Sequence, residues 1–390
     1  MAGITIPAGD WTVDIGGNVN AFYTNKSTDV SARDSEGNAV TVPSGLYGNG
    51  VDGNTIGTGL LPAAFGIGAK TRQNDLDIAF QFSFFTGTSS GTNAGAGNNS
   101  LNIRQAFLTF GDASWGTIKA GRDLGIFGSD AILSDMTLLG VGVSGAGSQS
   151  AGGSSTLGRI GSGYIYADWK GQMSYSSPNW NGFQFSAGVM EGFGNGKKDM
   201  GYEAKATYDF AANDVTGRVW VSGLTQKTDI AFDAGTTGGP SANYVAPTNA
   251  ANYTSKGVDI GAKVAYQGFG LVGYYYTGDG LDGQNGPIAQ GIFNSNGEKS
   301  KDSGGYVQGT FVVPTIGTKL GASWGTSNSK AANGTAFDIE NESWIVGAYH
   351  PLTKSLNLVA EYTMQEIKDK SIANTKIEKD TISLGAILFF

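Results

Sequence analysis

Few residues of this 390-residue chain could carry out covalent or metal chemistry, because it contains no cysteine and only one histidine, His350. Without cysteine there is no thiolate nucleophile, disulfide or cysteine-based metal site. A single histidine cannot build a multi-histidine metal site, and a Ser/His/Asp triad could use only His350. The net charge of −8, without a basic cluster, argues against nucleic-acid binding. We therefore expect a protein that is not an enzyme and that has no cofactor, no metal and no nucleic-acid partner.

The charged residues stand instead at alternate positions along segments whose other face is apolar. In residues 201–210, Tyr202 and Tyr208 share one face, whereas Glu203, Lys205 and Asp209 share the other. A period of two predicts β-strands with one apolar and one polar face. We predict sixteen such strands, at residues 11–24, 60–71, 76–87, 100–110, 117–127, 171–178, 183–191, 201–210, 215–228, 256–267, 270–278, 304–314, 318–327, 341–351, 355–367 and 378–390.

The connections between these strands alternate strictly between short and long. The short ones are 72–75, 111–116, 179–182, 211–214, 268–269, 315–317 and 352–354, and the connections between them are mostly much longer. A soluble β-sandwich has no reason to place every long connection at one end. An outer-membrane barrel does, because one rim carries short periplasmic turns and the other carries long external loops.

Aromatic residues cluster near the predicted strand ends, which is typical of the two membrane interfaces of a barrel. At the short-turn ends we note Phe110, Trp115, Trp180, Phe183, Phe210, Phe269, Tyr349 and Phe390. Toward the long-loop ends we note Tyr23, Phe84, Phe127, Tyr202, Tyr275, Tyr276, Trp324 and Tyr362. We therefore predict an all-β fold, a 16-stranded antiparallel transmembrane β-barrel that forms a single domain over residues 1–390.

No stretch of the sequence approaches the 18 or so consecutive apolar residues that indicate a transmembrane helix. The first residues also lack the charged and apolar segments of a signal peptide. Composition alone leaves two readings open, a cytoplasmic protein or a mature chain without its signal peptide. The barrel pattern favours the second reading and a multi-pass location in a Gram-negative outer membrane.

Three stretches resemble Gram-negative porins of the trimeric 16-stranded superfamily. Residues 104–112 (RQAFLTFGD) and 115–122 (WGTIKAGR) resemble the strand–turn–strand element that leads into the third external loop of that family. Residues 382–390 (ISLGAILFF) resemble its C-terminal assembly signal, with apolar residues at alternate positions and a final aromatic. The resemblance implies a homotrimer.

In that family the third loop folds into the barrel and narrows it. The matching connection is residues 128–170, and the resemblance makes Asp130 and Asp135 its inward acids. The arginines that would oppose them are Arg104 and Arg122 on strands four and five, with Arg218 on strand nine as a third candidate. Simple alternation puts Arg122 on the face opposite Lys119 and Asp123, so a bulge is needed to turn it into the lumen.

Strand parity predicts which charged side chains of the barrel wall face the lumen. The inward bases are Lys70, Arg104, Lys119, Lys205, Arg218, Lys263 and Lys319, and the inward acids are Asp14, Asp77, Glu203, Asp209, Asp259 and Glu361. Two interpretations remain open. Opposed acids and bases could set up a transverse field that acts on solutes, or they could pair with each other and hold the loop.

These observations predict a water-filled channel for the passive diffusion of small hydrophilic solutes and ions. The alternative is a substrate-selective channel of the same fold that favours anionic solutes such as carboxylates. An outer-membrane barrel enzyme or adhesin is a third alternative. The expected partners are solutes, outer-membrane lipid and lipopolysaccharide.

Overall fold

The chain folds into a closed barrel of sixteen antiparallel strands. The computed structural model describes residues 3–34, 36–40, 52–87, 101–144, 156–191, 197–230, 251–281, 300–331, 338–370 and 374–390. The barrel strands are β1 (Trp11–Ser31), β2 (in two parts, Gly53–Gly57 and Ala63–Gln73), β3 (Leu76–Thr86), β4 (Asn102–Asp112), β5 (Gly116–Leu124), β6 (Trp169–Ser176), β7 (Phe183–Met190), β8 (Lys197–Ala212), β9 (Val215–Ile230), β10 (Ala251–Tyr266), β11 (Phe269–Asp279), β12 (Ser300–Val312), β13 (Lys319–Ala331), β14 (Asp338–Pro351), β15 (Leu356–Asp369) and β16 (Thr375–Phe389).

The two ends of the chain close the barrel. Strand β1 pairs with β16 along one edge and with both parts of β2 along the other. At the lower end of the seam Gly17 and Phe390 exchange two backbone hydrogen bonds, of 3.0 and 3.2 Å. A short strand, Ile4–Ala8, then continues the β16 edge by pairing with the first residues of β1. Closure leaves no free strand edge, as a sheet in hydrocarbon requires.

All sixteen predicted strands are present, and several are longer than predicted. Strand β1 continues to Ser31 instead of residue 24, and strands β8–β10 each have 16 residues. The added residues are mostly polar, so they carry no apolar alternation although their backbones remain paired. The segments Ile4–Ala8 and Gly53–Gly57 were not predicted, because each has only five residues, fewer than any predicted strand.

The predicted faces are also confirmed. On β1, Val19 and Tyr23 are exposed on the outer surface, whereas Asn18, Asn20 and Thr24 are buried on the inner side. The two aromatic belts need correcting at three positions, however. Phe127, Tyr276 and Tyr349 are buried inside the barrel. Phe127 belongs to the third loop, and the other two have the inward parity of their strands.

The short turns lie at the predicted places, but the connections 191–196, 332–337 and 370–374 at the other rim have only five or six residues, because the strands beside them extend further than predicted. The β2–β3 turn consists of Asn74 and Asp75, with φ of +48° and +61°, and the β10–β11 turn of Gln267 and Gly268, with φ of +44° and +87°. Two successive residues with positive φ are the signature of the tight hairpin turn that matches strand twist. Among the described residues, no helix is long and apolar enough to span a membrane.

A side chain at position 17 should prevent normal closure. A Cβ atom there would lie 2.1 Å from the carbonyl oxygen of Ala64 and 2.9 Å from the Phe390 ring. Overpacking of this kind costs about 1–3 kcal/mol, so we expect Gly17→Ala to unfold at lower temperature than the native barrel. The measurement is the heat-dependent change of electrophoretic mobility in detergent. The matched control is Gly273→Ala, because a Cβ atom there meets nothing within 4 Å. Equal stability of the two variants would contradict this account of the seam.

Candidate channel constriction

The described residues of the connection between β5 and β6 lie inside the barrel. The connection runs from residue 125 to residue 168, close to the predicted 128–170, and the structure describes its residues 125–144 and 156–168. It contains a short helix, α1 (Ser129–Ser134), and a 3-10 turn, Met136–Leu139. Its backbone and side chains bond to inward-facing residues of strands β8 to β15. We call the described residues 125–144 and 156–168 the inner loop.

Two wall carboxylates hold the beginning of the inner loop through its backbone. Ile126 and Phe127 donate their N–H groups to one oxygen of Glu203, at 2.6 and 2.8 Å. The other oxygen of Glu203 pairs with Lys170 at 2.6 Å. Gly128 donates its N–H group to Asp259 at 3.1 Å. Hydrogen bonds to an ionised acceptor are stronger than neutral ones, so these two acids fix the direction in which the loop enters the lumen.

The first loop acid, Asp130, contacts wall bases directly. Its two oxygens lie 2.6 Å from Nζ of Lys205 and 3.2 Å from a terminal nitrogen of Arg218. Arg218 also binds both oxygens of Asp209, at 2.6 and 2.8 Å. The loop acid and the wall bases are therefore joined in an ion-pair network, rather than facing each other across open water.

The middle of the inner loop is bonded to β12 and to itself. Tyr306 donates its hydroxyl to the carbonyl oxygen of Ala131 at 2.8 Å, and the Gln308 side chain accepts the Met136 N–H group at 2.7 Å. Within the loop, Asp135 accepts the Tyr164 hydroxyl at 2.7 Å. Burial, reinforced by the Asp135 charge, raises the pKa of Tyr164 well above its ordinary value. Tyr164 therefore remains a neutral donor to this second loop acid.

Glu361 holds the far end of the inner loop. Val141 and Gly142 donate N–H groups to one of its oxygens at 2.9 and 2.7 Å, and Tyr349 donates its hydroxyl to the other at 2.6 Å. A Cβ atom on Gly140 would lie 2.0 Å from this carboxylate, so the approach requires glycine at that position. The loop thus reaches from β8 to β15 across half of the strands.

The returning part of the inner loop is held by Arg159, which is fully buried. Its Nε donates to the hydroxyl of Ser323 at 2.7 Å, and one terminal nitrogen donates to that of Ser343 at 3.0 Å. Sequence reasoning missed Arg159, and it also missed the uncharged anchors Tyr306 and Gln308. Tyr306 and Gln308 have the inward parity of β12, but nothing in their residue type distinguishes an anchor of the loop from any other polar residue of the wall.

The wall formed by β2 to β5 remains open to the lumen and carries accessible lysines. The side chain of Lys70 is 65% exposed and lies 3.3 Å from Asp14. Lys119 is 32% exposed and pairs with Asp123, which also accepts a hydrogen bond from Gln105 at 2.9 Å. Lys263 is half-buried on β10, opposite Arg218 in the strand register. These bases border the channel, as parity predicts.

Two arginines that were predicted to face the loop acids across the lumen do not do so. Arg104 is only 7% exposed, and its guanidinium lies over the Phe85 ring at 4.8 Å. A register shift between β3 and β4 makes it an extra residue at the external end of the strand. Arg122 stays on the face opposite Lys119 and Asp123, because the pairing of β5 with both neighbours is continuous and contains no bulge. Neither arginine borders the lumen beside Lys70 and Lys119.

The contacts bury the acids that hold the inner loop, whereas the wall acids Asp14 and Asp209 stay 45% and 41% exposed in ion pairs with Lys70 and Arg218. Glu203, Asp259, Asp130, Asp135 and Glu361 are each at most 4% exposed as whole residues. The bases that border the lumen keep about a third or more of their side-chain surface at Arg218, Lys119 and Lys70. Within the described residues, no cluster of three or more acidic or histidine side chains could bind a metal ion.

Comparisons with known proteins agree with this architecture. The Gram-negative porin family model matches residues 1–370. No curated protein matches the sequence. Among solved structures, the outer-membrane channel DcaP of Acinetobacter baumannii is similar over 100% of both chains, at 14% identity and a TM-score of 0.64.

Two further solved structures are similar at the level of the fold. The anion-selective porin of Comamonas acidovorans matches 97% of this chain and 100% of its own, with 14% identity and a TM-score of 0.60. OmpT of Vibrio cholerae, in its trimer form, matches 97% of this chain and 99% of its own, with 16% identity and a TM-score of 0.56. The closed barrel, its internal loop and the match over nearly the whole chain lead to one conclusion: the protein belongs to the Gram-negative porin family and is an outer-membrane channel.

Proposed function

We propose that the protein is a passive diffusion channel for small hydrophilic solutes and ions. The observation that carries this proposal is the inner loop, which is bonded to the wall from β8 to β15 and, through Gly140, to Leu60 between the two parts of β2. The wall of β2 to β5 still presents accessible polar side chains such as those of Lys70 and Lys119. Sixteen strands enclose more space than their own side chains fill. A fixed internal loop therefore sets the width of the channel without blocking it, and transport needs neither a cofactor nor an energy source.

A preference for anions is the second candidate, and a specific observation favours it. The acids of the inner loop and of its anchors are buried, whereas Lys70, Lys119 and Arg218 keep water contact. The exposed acids beside them, Asp14 and Asp209, are ion-paired with Lys70 and Arg218. Accessible charge in a narrow, low-dielectric passage selects ions more strongly than the net charge of the chain. The similar porin of Comamonas acidovorans is described as anion-selective, which supports this direction.

We also propose a homotrimer in contact with outer-membrane lipid and lipopolysaccharide. The outer surface of the barrel is apolar at Val219, Val221 and Ile260, which are 43%, 50% and 60% exposed. A similar structure, OmpT of Vibrio cholerae, occurs in a trimer form. An apolar outer face can contact either lipid or a second copy of the chain.

Removing one loop anchor should widen the channel. In Glu361→Ala the N–H groups of Val141 and Gly142 lose their acceptor, which costs about 1–3 kcal/mol for each group left buried. We expect the loop to detach at this end, so that sugars too large for the native channel enter proteoliposomes in a swelling assay. The control is Glu378→Ala, at an exposed glutamate on β16. An unchanged size limit would show that this part of the loop does not set the width, and no swelling with any small sugar would contradict passive diffusion.

Neutralising accessible luminal bases should reduce the preference for anions. We expect Lys70→Gln combined with Lys263→Gln to move the reversal potential, measured in a planar bilayer under a salt gradient, toward that of cations. The control is Lys330→Gln. Lys330 is exposed at the external end of β13 and has the outward parity of Leu320 and Trp324. The second candidate is wrong if the native channel prefers cations, or if the double variant and the control have the same reversal potential.

A further inference from the structure

The inner loop turns an apolar side chain toward the channel. Leu133 is 58% exposed, although its neighbours Ala131 and Ile132 in α1 are buried. The buried side of α1 is fixed on the wall through Asp130, so the exposed side faces the open lumen. An exposed leucine leaves apolar surface in water, and covering such a side chain completely is worth about 1.5–3 kcal/mol. A channel that served only sugars and inorganic ions would gain nothing from this residue.

The opposite wall carries a second apolar surface beside a base. Phe107 of β4 shares the inward parity of Gln105, whose amide bonds to Asp123 inside the barrel. The ammonium of Lys119 lies 4.9 Å from the centre of the Phe107 ring. Phe107 is half-buried, so part of its ring borders the channel. An aromatic face beside a cation presents apolar contact and positive charge at the same place.

Leu133 and Phe107 lie at similar heights in the barrel. Phe107 is five residues before the end of β4 at Asp112. Gln308, which donates to the carbonyl oxygen of Ser134 next to Leu133, is four residues before the end of β12 at Val312. Both strands end at short turns on the same rim. The apolar side chains therefore belong to the same level of the channel.

The acids near these side chains offer little accessible negative charge. The side chain of Asp123 is 10% exposed and is bonded to Lys119 and Gln105. The side chain of Asp130 is 5% exposed and is bonded to Lys205 and Arg218. An incoming carboxylate therefore meets the ammonium of Lys119 without a competing exposed acid among these residues.

We propose that the constriction binds amphipathic organic anions, that is, monocarboxylates with an aromatic or branched apolar group. The apolar group contacts Leu133 and Phe107, and the carboxylate binds near Lys119. This inference rests on the proposed function, because it names a class of solute for the same channel. Weak binding of this kind raises the local concentration of the solute and favours its passage over that of a purely polar anion of similar size.

Single-channel recording in planar bilayers tests the proposal with benzoate as the probe. We expect benzoate to interrupt the chloride-carried current at concentrations at which acetate and the uncharged benzyl alcohol do not. Leu133→Asn and Phe107→Asn should each weaken the benzoate block by about fivefold, as expected from losing part of one apolar contact. The matched control is Leu352→Asn, at an exposed leucine in a short turn at the rim, which should leave the block unchanged.

The outcomes separate the two proposals. A channel that conducts normally but treats benzoate and acetate alike would overturn the subsite and leave the diffusion channel intact. A block that survives both apolar substitutions, or that benzyl alcohol reproduces, would also overturn it. Folded protein with no conductance at all would contradict the proposed function itself. A selective benzoate block that is lost in both variants and kept in the control supports the subsite.

Discussion

The structure depends on one constraint, which is that backbone N–H and C=O groups inside a membrane must be bonded within the protein. The seam between β1 and β16 meets this constraint, since the pairing continues from Ser31 down to the two bonds between Gly17 and Phe390. Once the sheet is closed, side chains alternate between lipid and lumen. Polar and charged residues can then be placed inside without a penalty, because they face water or the inner loop.

The inner loop brings the same requirement into the lumen. Among its described residues only Ser129–Ser134 and Met136–Leu139 are helical, and several of the described N–H groups outside them are bonded to the wall. Glu203, Asp259 and Glu361 of the wall accept hydrogen bonds from the loop backbone. The loop residue Arg159 in turn donates hydrogen bonds to hydroxyl groups of the wall. This use of the acids has an electrical consequence. In this chain with a net charge of −8, the acids that hold the loop are buried, and the accessible wall acids Asp14 and Asp209 are ion-paired with Lys70 and Arg218.

Much of the fold could be predicted, because the signals that specify it are local and periodic. Alternation located every barrel strand, and the lengths of the connections identified the two rims. The arrangement of charges at the constriction was harder to predict from the sequence. Asp130 and Arg218 meet as the resemblance implied, but parity cannot show whether a luminal charge faces water or lies beneath a loop. Arg104 depends on a register shift between two strands, and Arg159 depends on the path of the loop, so neither position is encoded in its own neighbourhood.

The inner loop lines the water-filled passage, and a thiol placed at position 133 reports on this. The native chain has no cysteine, so a Leu133→Cys variant has a single thiol. We expect a charged methanethiosulfonate reagent, added to open channels in a planar bilayer, to lower the single-channel conductance of this variant. The reagent should not affect the native protein or Leu352→Cys. Complete modification of Leu133→Cys, verified by mass spectrometry, with unchanged conductance would contradict the claim that this loop lines the channel.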